Sequence, residues 1–257
     1  MEGRLHEAAL KKLRRVKKTI VHSTYIPERL AYCRSTIRKH EASLALWGYS
    51  DGTVFYLDRT REENEDSQVA ALGTHVWRRA DGRDSMFKDC LGPSTYKKAQ
   101  GHPVRIWGVL AEGTLNIHIL EEGEVMNQEL YVDLIEDKFE EWLGGCCYLV
   151  QDFESCIRAP QSLKALKRIG VELVEGYPRC SQDFNAIENC WDLLRERLFE
   201  TMPKGLEGRD AFIVRVRQAV QWINRTKKPR LEYLSTNQKE RCRDCLDAEP
   251  PGSRTQW

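Results

Sequence analysis

The chain predicts an α/β fold: a mixed five-stranded sheet flanked by helices, with a basic helical arm at the N-terminus and a further helix at the C-terminus. Three observations carry this. Short apolar runs at 104–110 and 115–120 flank a Gly-containing break. From residue 126 onward, 3.6-period stretches alternate with short extended runs. Hydrophobic residues make up 41% of 257 residues, enough for a real core.

In chain order, residues 7–18 read as a basic helix because Leu10, Leu13 and Val16 recur at spacing three. Residues 28–40 read as a second helix with Leu30, Cys33 and Ile37 inward. Leu44 to Ser50 reads as a strand closed by an Asp51-Gly52 turn, and Val54 to Leu57 resumes extended structure. Thr60 to Ser67 reads as a charged loop. Residues 78–103, rich in Gly, Pro, Asp and Lys, read as irregular. Val104–Leu110 and Leu115–Leu120, joined by Ala-Glu-Gly-Thr, read as a hairpin. Met126–Leu143 reads as a helix ended by Gly144-Gly145.

Cys147–Val150 then reads as a short buried strand running into Gln151-Asp152. Ser162–Ile169 reads as a helix stopped by Gly170, and Val171–Val174 as a strand. Ile187, Cys190, Trp191, Leu194 and Leu198 form one stripe of a helix over 186–199. Phe212, Val216, Ala219 and Ile223 do the same over 210–224. Asp247 to Trp257 reads as a loop-like tail. Cys242-x-x-Cys245 reads as two incidental thiols on a helix, since no second pair is spaced for zinc.

No stretch approaches the ~18 apolar residues of a membrane span, and the first 18 residues lack a signal-peptide pattern. Nine cysteines without such a signal read as reduced thiols in the cytosol or nucleus. The net charge of +1 is unevenly spread. Residues 1–40 hold 11 Lys/Arg against 3 Asp/Glu, whereas 111–160 hold 2 against 12. A basic arm beside an acidic middle suits a polyanionic partner and a site built of carboxylates; it also suits a solvated helix beside an acidic surface.

Three carboxylates stand out. Asp51 and Asp152 close predicted strands, and Glu188 opens a predicted helix. Carboxylates brought to one sheet edge repel unless a cation or proton intervenes, and hard oxygen ligands suit magnesium or manganese. Each also has a local alternative. Asp51-Gly52 is a good turn, Asp152 can cap the next turn, and Asn185-x-x-Glu188 can form a capping box.

The residues around them resemble the catalytic domain of the Tc/mariner superfamily of transposases, from about Arg29 to about Leu198. Trp47-Gly48-Tyr49-Ser50-Asp51 resembles the family's first block, Trp77-Arg78-Arg79 its recurrent Trp-Arg-Arg, and Val104-Arg105-Ile106-Trp107-Gly108 its Val-Trp-Gly strand. Val150-Gln151-Asp152 resembles the second block. Ser181-Gln182-Asp183-Phe184-Asn185-Ala186-Ile187-Glu188-Asn189-Cys190-Trp191 resembles Ser-Pro-Asp-Leu-Asn-Pro-Ile-Glu-Asn-Leu-Trp and is the most specific of the matches. After the second Asp the family continues Asn-x-Pro-x-His, where this chain has Phe153-Glu154-Ser155-Cys156-Ile157.

The resemblance implies a ribonuclease-H-like fold and assigns Asp51, Asp152 and Glu188 as catalytic, metal-holding acids for two Mg2+ or Mn2+ ions. It implies cut-and-paste strand cleavage and transfer on transposon-end and target DNA, in the nucleus. It also implies a homodimer, with neither a membrane nor a small-molecule cofactor involved. The implied organisation is a basic arm over 1–40, left from a DNA-binding region, then a catalytic domain over 41–205 with a 60–103 insert as candidate dimer contact. A C-terminal helix and tail follow over 206–257. Lys11, Lys12, Arg14, Arg15, Lys17 and Lys18 are the candidate phosphate contacts of the arm. The competing expectation is a degenerate or host-retained remnant that binds nucleic acid without catalysis.

Overall fold

The computed structural model describes residues 10–14, 21, 23–57, 75–79, 103–203, 205, 207–248 and 251–252. Seven strands are described: β1 (Leu10–Arg14), β2 (Trp47–Tyr56), β3 (His75–Arg79), β4 (Pro103–Ala111), β5 (Thr114–Ile119), β6 (Tyr148–Val150) and β7 (Glu172–Leu173). The main sheet has the order β5-β4-β2-β6-β7. β5, β4 and β2 run antiparallel, and β6 and β7 are parallel to β2. This is the predicted mixed five-stranded sheet. β1 and β3 pair separately as an antiparallel ribbon.

Helices follow in chain order: α1 (Ile26–Ile37), α2 (Glu41–Leu44), α3 (Gln128–Leu134), α4 (Glu140–Leu143), α5 (Ser155–Arg158), α6 (Pro160–Arg168), α7 (Ile187–Glu200), α8 (Arg209–Thr226), α9 (Lys228–Thr236) and α10 (Gln238–Asp247). A π-helical turn, Ile135–Phe139, joins α3 to α4 and buries both of its end residues. Among the described residues no helix is long and apolar enough to cross a membrane.

The period-2 alternation of β4 divides the core between the two faces of the sheet. Ile106 and Leu110 belong to a core with Trp191, Leu194, Val216, Ile223 and Leu234 from α7, α8 and α9. Trp107, Val109 and Ala111 belong to the other, with Tyr131, Ile135, Phe139 and Leu166. The β4–β5 hairpin turns on Glu112 and Gly113, whose φ values of 48° and 67° are those of a tight two-residue hairpin turn.

Four expectations are corrected. The basic helix over 7–18 is instead a strand where it is described: residues 10–14 pair with 75–79, Lys12 opposite Trp77. Like charges at i, i+4 disfavour a lone helix there, and a distant partner strand supplies the backbone bonds. The same pairing puts Trp77-Arg78-Arg79 in a strand; the remainder of the predicted irregular segment up to residue 102 lies outside the described residues.

Asp51-Gly52 is no turn: β2 runs through it, with Asp51 opposite Gly108 and Gly52 opposite Trp107. A Cβ on Gly52 would lie 3.1 Å from the Trp107 ring, so the glycine there serves a close approach. Finally, the single C-terminal helix is three, α8 to α10. Pro229 in the first turn starts α9. Buried Gln238 and Arg241 break the apolar pattern of α10, so only the stretch around Cys242 and Cys245 reads as helical in the sequence.

Candidate active site

Asp51 sits where β2 loses one neighbour. Tyr49 opposite Val150 is the last pair of β2 with β6. Two residues beyond that pair stand Asp51, still within β2, and Asp152, past the end of β6. On its other side Asp51 stays paired to Gly108 of β4. Glu188 lies in the first turn of α7, which packs on β4 through Trp191.

Burial pushes the Asp51 carboxyl well above the ordinary carboxylate range. The negative charges of Glu188 and Asp152 push it further, and that of Glu154 adds to them. The Gly52 backbone N–H pulls the other way. The three predicted acids therefore share one electrostatic field, joined by Glu154, whose own carboxyl is raised by burial and by Asp152.

Of the local alternatives, the turn at Asp51-Gly52 does not form. Asp51 lies inside a strand. Asp152 accepts the Tyr177 hydroxyl at 3.2 Å, and the residue preceding α5, Glu154, makes no side-chain cap bond. The Tyr177 hydroxyl is also 2.7 Å from the Ser181 carbonyl. The N-cap of α7 is Ala186, without a side-chain bond, and Asn185 reaches across to donate to the Ser50 carbonyl at 3.0 Å. Ser50 in turn accepts Trp107 Nε1 at 2.9 Å. The residue before Asp51 is thus fixed from two sides.

The 181–191 block is clamped by two buried arginines that sequence reasoning missed. Arg29 of α1 forks onto Asp183, Nη1 at 2.9 Å and Nη2 at 2.6 Å. It also donates to Ser181 Oγ at 2.7 Å and to the Gly252 carbonyl at 2.8 Å, and lies over the Phe184 ring. Arg241 of α10 donates to the Asp183 carbonyl at 2.9 Å and to Asn189 Oδ1 at 2.6 Å. Asp183 and Asn189 are therefore structural. The available signal was their spacing with thiols: Arg29 with Cys33, and Arg241 with Cys245, are i, i+4 pairs of buried residues. Tyr177 and Glu154 carried no comparable signal.

Of the predicted phosphate contacts, Lys11, Lys12 and Arg14 fall in β1, while Arg15, Lys17 and Lys18 lie outside the described residues. Cys242 and Cys245 are buried on α10, as the reading of incidental thiols expects.

A divalent cation suits this donor set. The oxygens are hard, and besides its burial the Asp51 carboxyl is raised by the negative charges of Glu188 and Asp152, which a cation would relieve. Among the described residues no group of three His, Cys, Asp or Glu side chains closes tightly enough to hold an ion as it stands.

The chain thus folds as a mixed five-stranded sheet between two helical layers. It is similar to the catalytic domain of Mos1 mariner transposase, with a TM-score of 0.61 and 9% identity over 92% of this chain and 98% of that one. It is also similar to the Mos1 mariner paired end complex with Mn, at a TM-score of 0.63 and 12% identity over 100% of this chain and 70% of that one. With the paired end complex with Mg, the TM-score is 0.65 and the identity 12% over 99% and 71%. No protein-family model matches the sequence, and neither does any curated protein.

Proposed function

We propose that the chain is a DNA transposase catalytic domain that cleaves and transfers DNA strands using divalent metal ions. The observation that supports this best is the Asp51 carboxyl, raised well above its ordinary range first by burial and then by the negative charges of Glu188 and Asp152, which come from other parts of the chain. Titratable groups perturbed by burial and by one another in a cleft are the mark of a working site.

Asp51, Asp152 and Glu188 would hold Mg2+ or Mn2+. When bound, two such ions supply an activated nucleophile and neutralise the leaving oxygen. The remaining work belongs to the chain. β2, paired on β4, holds Asp51 rigid. The Tyr177 hydroxyl orients Asp152. Arg29 and Arg241 hold the segment that carries Glu188.

DNA is the partner in this reading, as transposon end and as target. The homodimer, its contact through 60–103, the nuclear location and the division at 1–40, 41–205 and 206–257 belong to the same proposal. A second reading, a remnant that binds nucleic acid without cutting it, is favoured by Phe153-Glu154-Ser155-Cys156-Ile157 standing where the family has Asn-x-Pro-x-His.

The test is nicking of a DNA duplex in Mg2+ or Mn2+ by the wild type and by Asp152→Asn, with circular dichroism to check the fold. Loss of cleavage in a folded variant supports the transferase. Cleavage by the variant at the wild-type rate overturns the assignment. DNA binding by a wild type that never cleaves selects the remnant.

A further inference from the structure

Directly after Asp152 the chain exposes an aromatic ring. Phe153 is 45% exposed, and two guanidinium groups lie over it, Arg158 at 4.2 Å and Arg179 at 5.4 Å from the ring centroid. Arg168, Arg195, Arg197 and Arg215 each sit on a carboxylate. Arg158 and Arg179 have no carboxylate partner among the described residues, and Arg158 Nε is buried without an acceptor. The same ring borders a groove of about 560 Å³ walled by Gly176, Tyr177, Pro178 and Arg179, with Glu28 also on its wall. Tyr177 is the residue that bonds Asp152, so groove and acids meet at one side chain.

A surface cation–π contact is worth only ~0.5–1 kcal/mol, too little to explain an exposed phenyl ring beside two cations that pair with no carboxylate among the described residues. The combination matches a different ligand. An aromatic face and planar guanidinium groups stack on a nucleobase, and the guanidinium N–H groups take phosphate oxygens. A paired base inside a duplex has both faces covered by its neighbours. Only an unpaired base can use the ring.

We propose that Phe153, Arg158 and Arg179 form a clamp for an unpaired nucleobase and its phosphate, at the end of the DNA strand handled by Asp51, Asp152 and Glu188. The clamp rests on the nucleic-acid reading of the neighbouring acids. It sets the strand end rather than the duplex as the species that settles beside Asp152. Glu28 limits the groove to the base side of the nucleotide, because a phosphate there would meet a like charge.

The experiment reads binding without cleavage, in EDTA. The probe is a DNA duplex with a short overhang carrying 2-aminopurine, compared with a blunt duplex that pairs the same base. The expected result is quenching of the overhang by the wild type. Phe153→Ala is expected to lose the quenching and to bind the overhang about 5- to 100-fold more weakly, while holding the blunt duplex within about twofold. Phe153→Tyr is expected to retain both. Arg158→Gln with Arg179→Gln is expected to lower the salt slope of overhang binding by about 1.

Because Phe153 is exposed, an unchanged melting temperature for Phe153→Ala checks its fold. Equal binding of overhang and blunt duplex by wild type and Phe153→Ala, with unaltered quenching, overturns the clamp alone. Binding of neither DNA overturns the nucleic-acid reading with it. Tighter binding of an RNA overhang overturns the assignment to DNA.

Discussion

Gly108 and Trp191 claim the same space: a Cβ built on Gly108 would lie 2.4 Å from Trp191 Cη2. The glycine faces Asp51 across the β2–β4 ladder, and the tryptophan stands one helical turn after Glu188. Their contact sets how closely α7, and Glu188 with it, approaches the strand pair. Gly108→Ala forces the indole or the helix outward. Overpacking of this kind costs about 1–3 kcal/mol, and the expected fall in melting temperature is about 2–10 °C. Adding Trp191→Phe should recover part of the loss, which a double-mutant cycle measures.

The raised Asp51 carboxyl has a definite pH signature. In the folded protein it keeps its proton over a range where the unfolded chain has lost it. The native state then binds more protons, so the metal-free protein loses stability as pH rises from the ordinary carboxylate range through the raised value. Asp51→Asn removes this loss. Its melting temperature should exceed that of the wild type at pH 8 in EDTA, and the gap should close on acidification. Added Mg2+ should raise the melting temperature of the wild type and leave Asp51→Asn nearly unmoved. A variant less stable than the wild type at pH 8 would contradict the shared field.

The sheet was legible in the sequence because its strands carry their own signals. Val104–Leu110 and Leu115–Leu120 bracket a Glu112-Gly113 turn, and α7 shows its stripe from Ile187 to Leu198. The surroundings of the three candidate acids were not legible. Gly52 looked like half of a turn, yet its missing side chain makes room for Trp107, a partner 55 residues away. β1 was misread for the same reason: its backbone bonds come from 75–79, and no local period announces a distant partner. Arg29 and Arg241 were illegible because a buried arginine breaks the apolar pattern on which helix reading depends. Only the three-dimensional position of Asp183 explains them.

That ion pair gives a stability test. Arg29 is fully buried and Asp183 nearly so. Breaking a buried pair on one side strands the other charge, at a cost of about 3–5 kcal/mol. Arg29→Met and Asp183→Asn should each lower the unfolding free energy, read from denaturant titration, by an amount of that order. The double variant should lose less than the two single losses combined, since neither charge is then left alone. Additive losses would show that the pair does not act as a unit.

The basic arm is tested by salt. Neutralising Lys11, Lys12, Arg14 and Arg15 together should weaken DNA binding and flatten its dependence on salt, by about 0.9 in log–log slope for each phosphate that the arm no longer neutralises. The weakening should be alike for all DNA sequences, because binding to phosphates carries no sequence information. An unchanged slope would remove these four residues from the DNA interface.

The two arginines also impose an order on synthesis. Arg241 follows its partner Asn189 by 52 residues, and Arg29 precedes Asp183 by 154. A chain growing on the ribosome can thus present Asp51, Asp152 and Glu188 before the segment bearing Glu188 is locked. The lock closes only when α10 has emerged and folded back. An unfinished chain carries all three acids but lacks the Arg241 half of their support, so a fragment ending before residue 241 would be released with its centre unfastened.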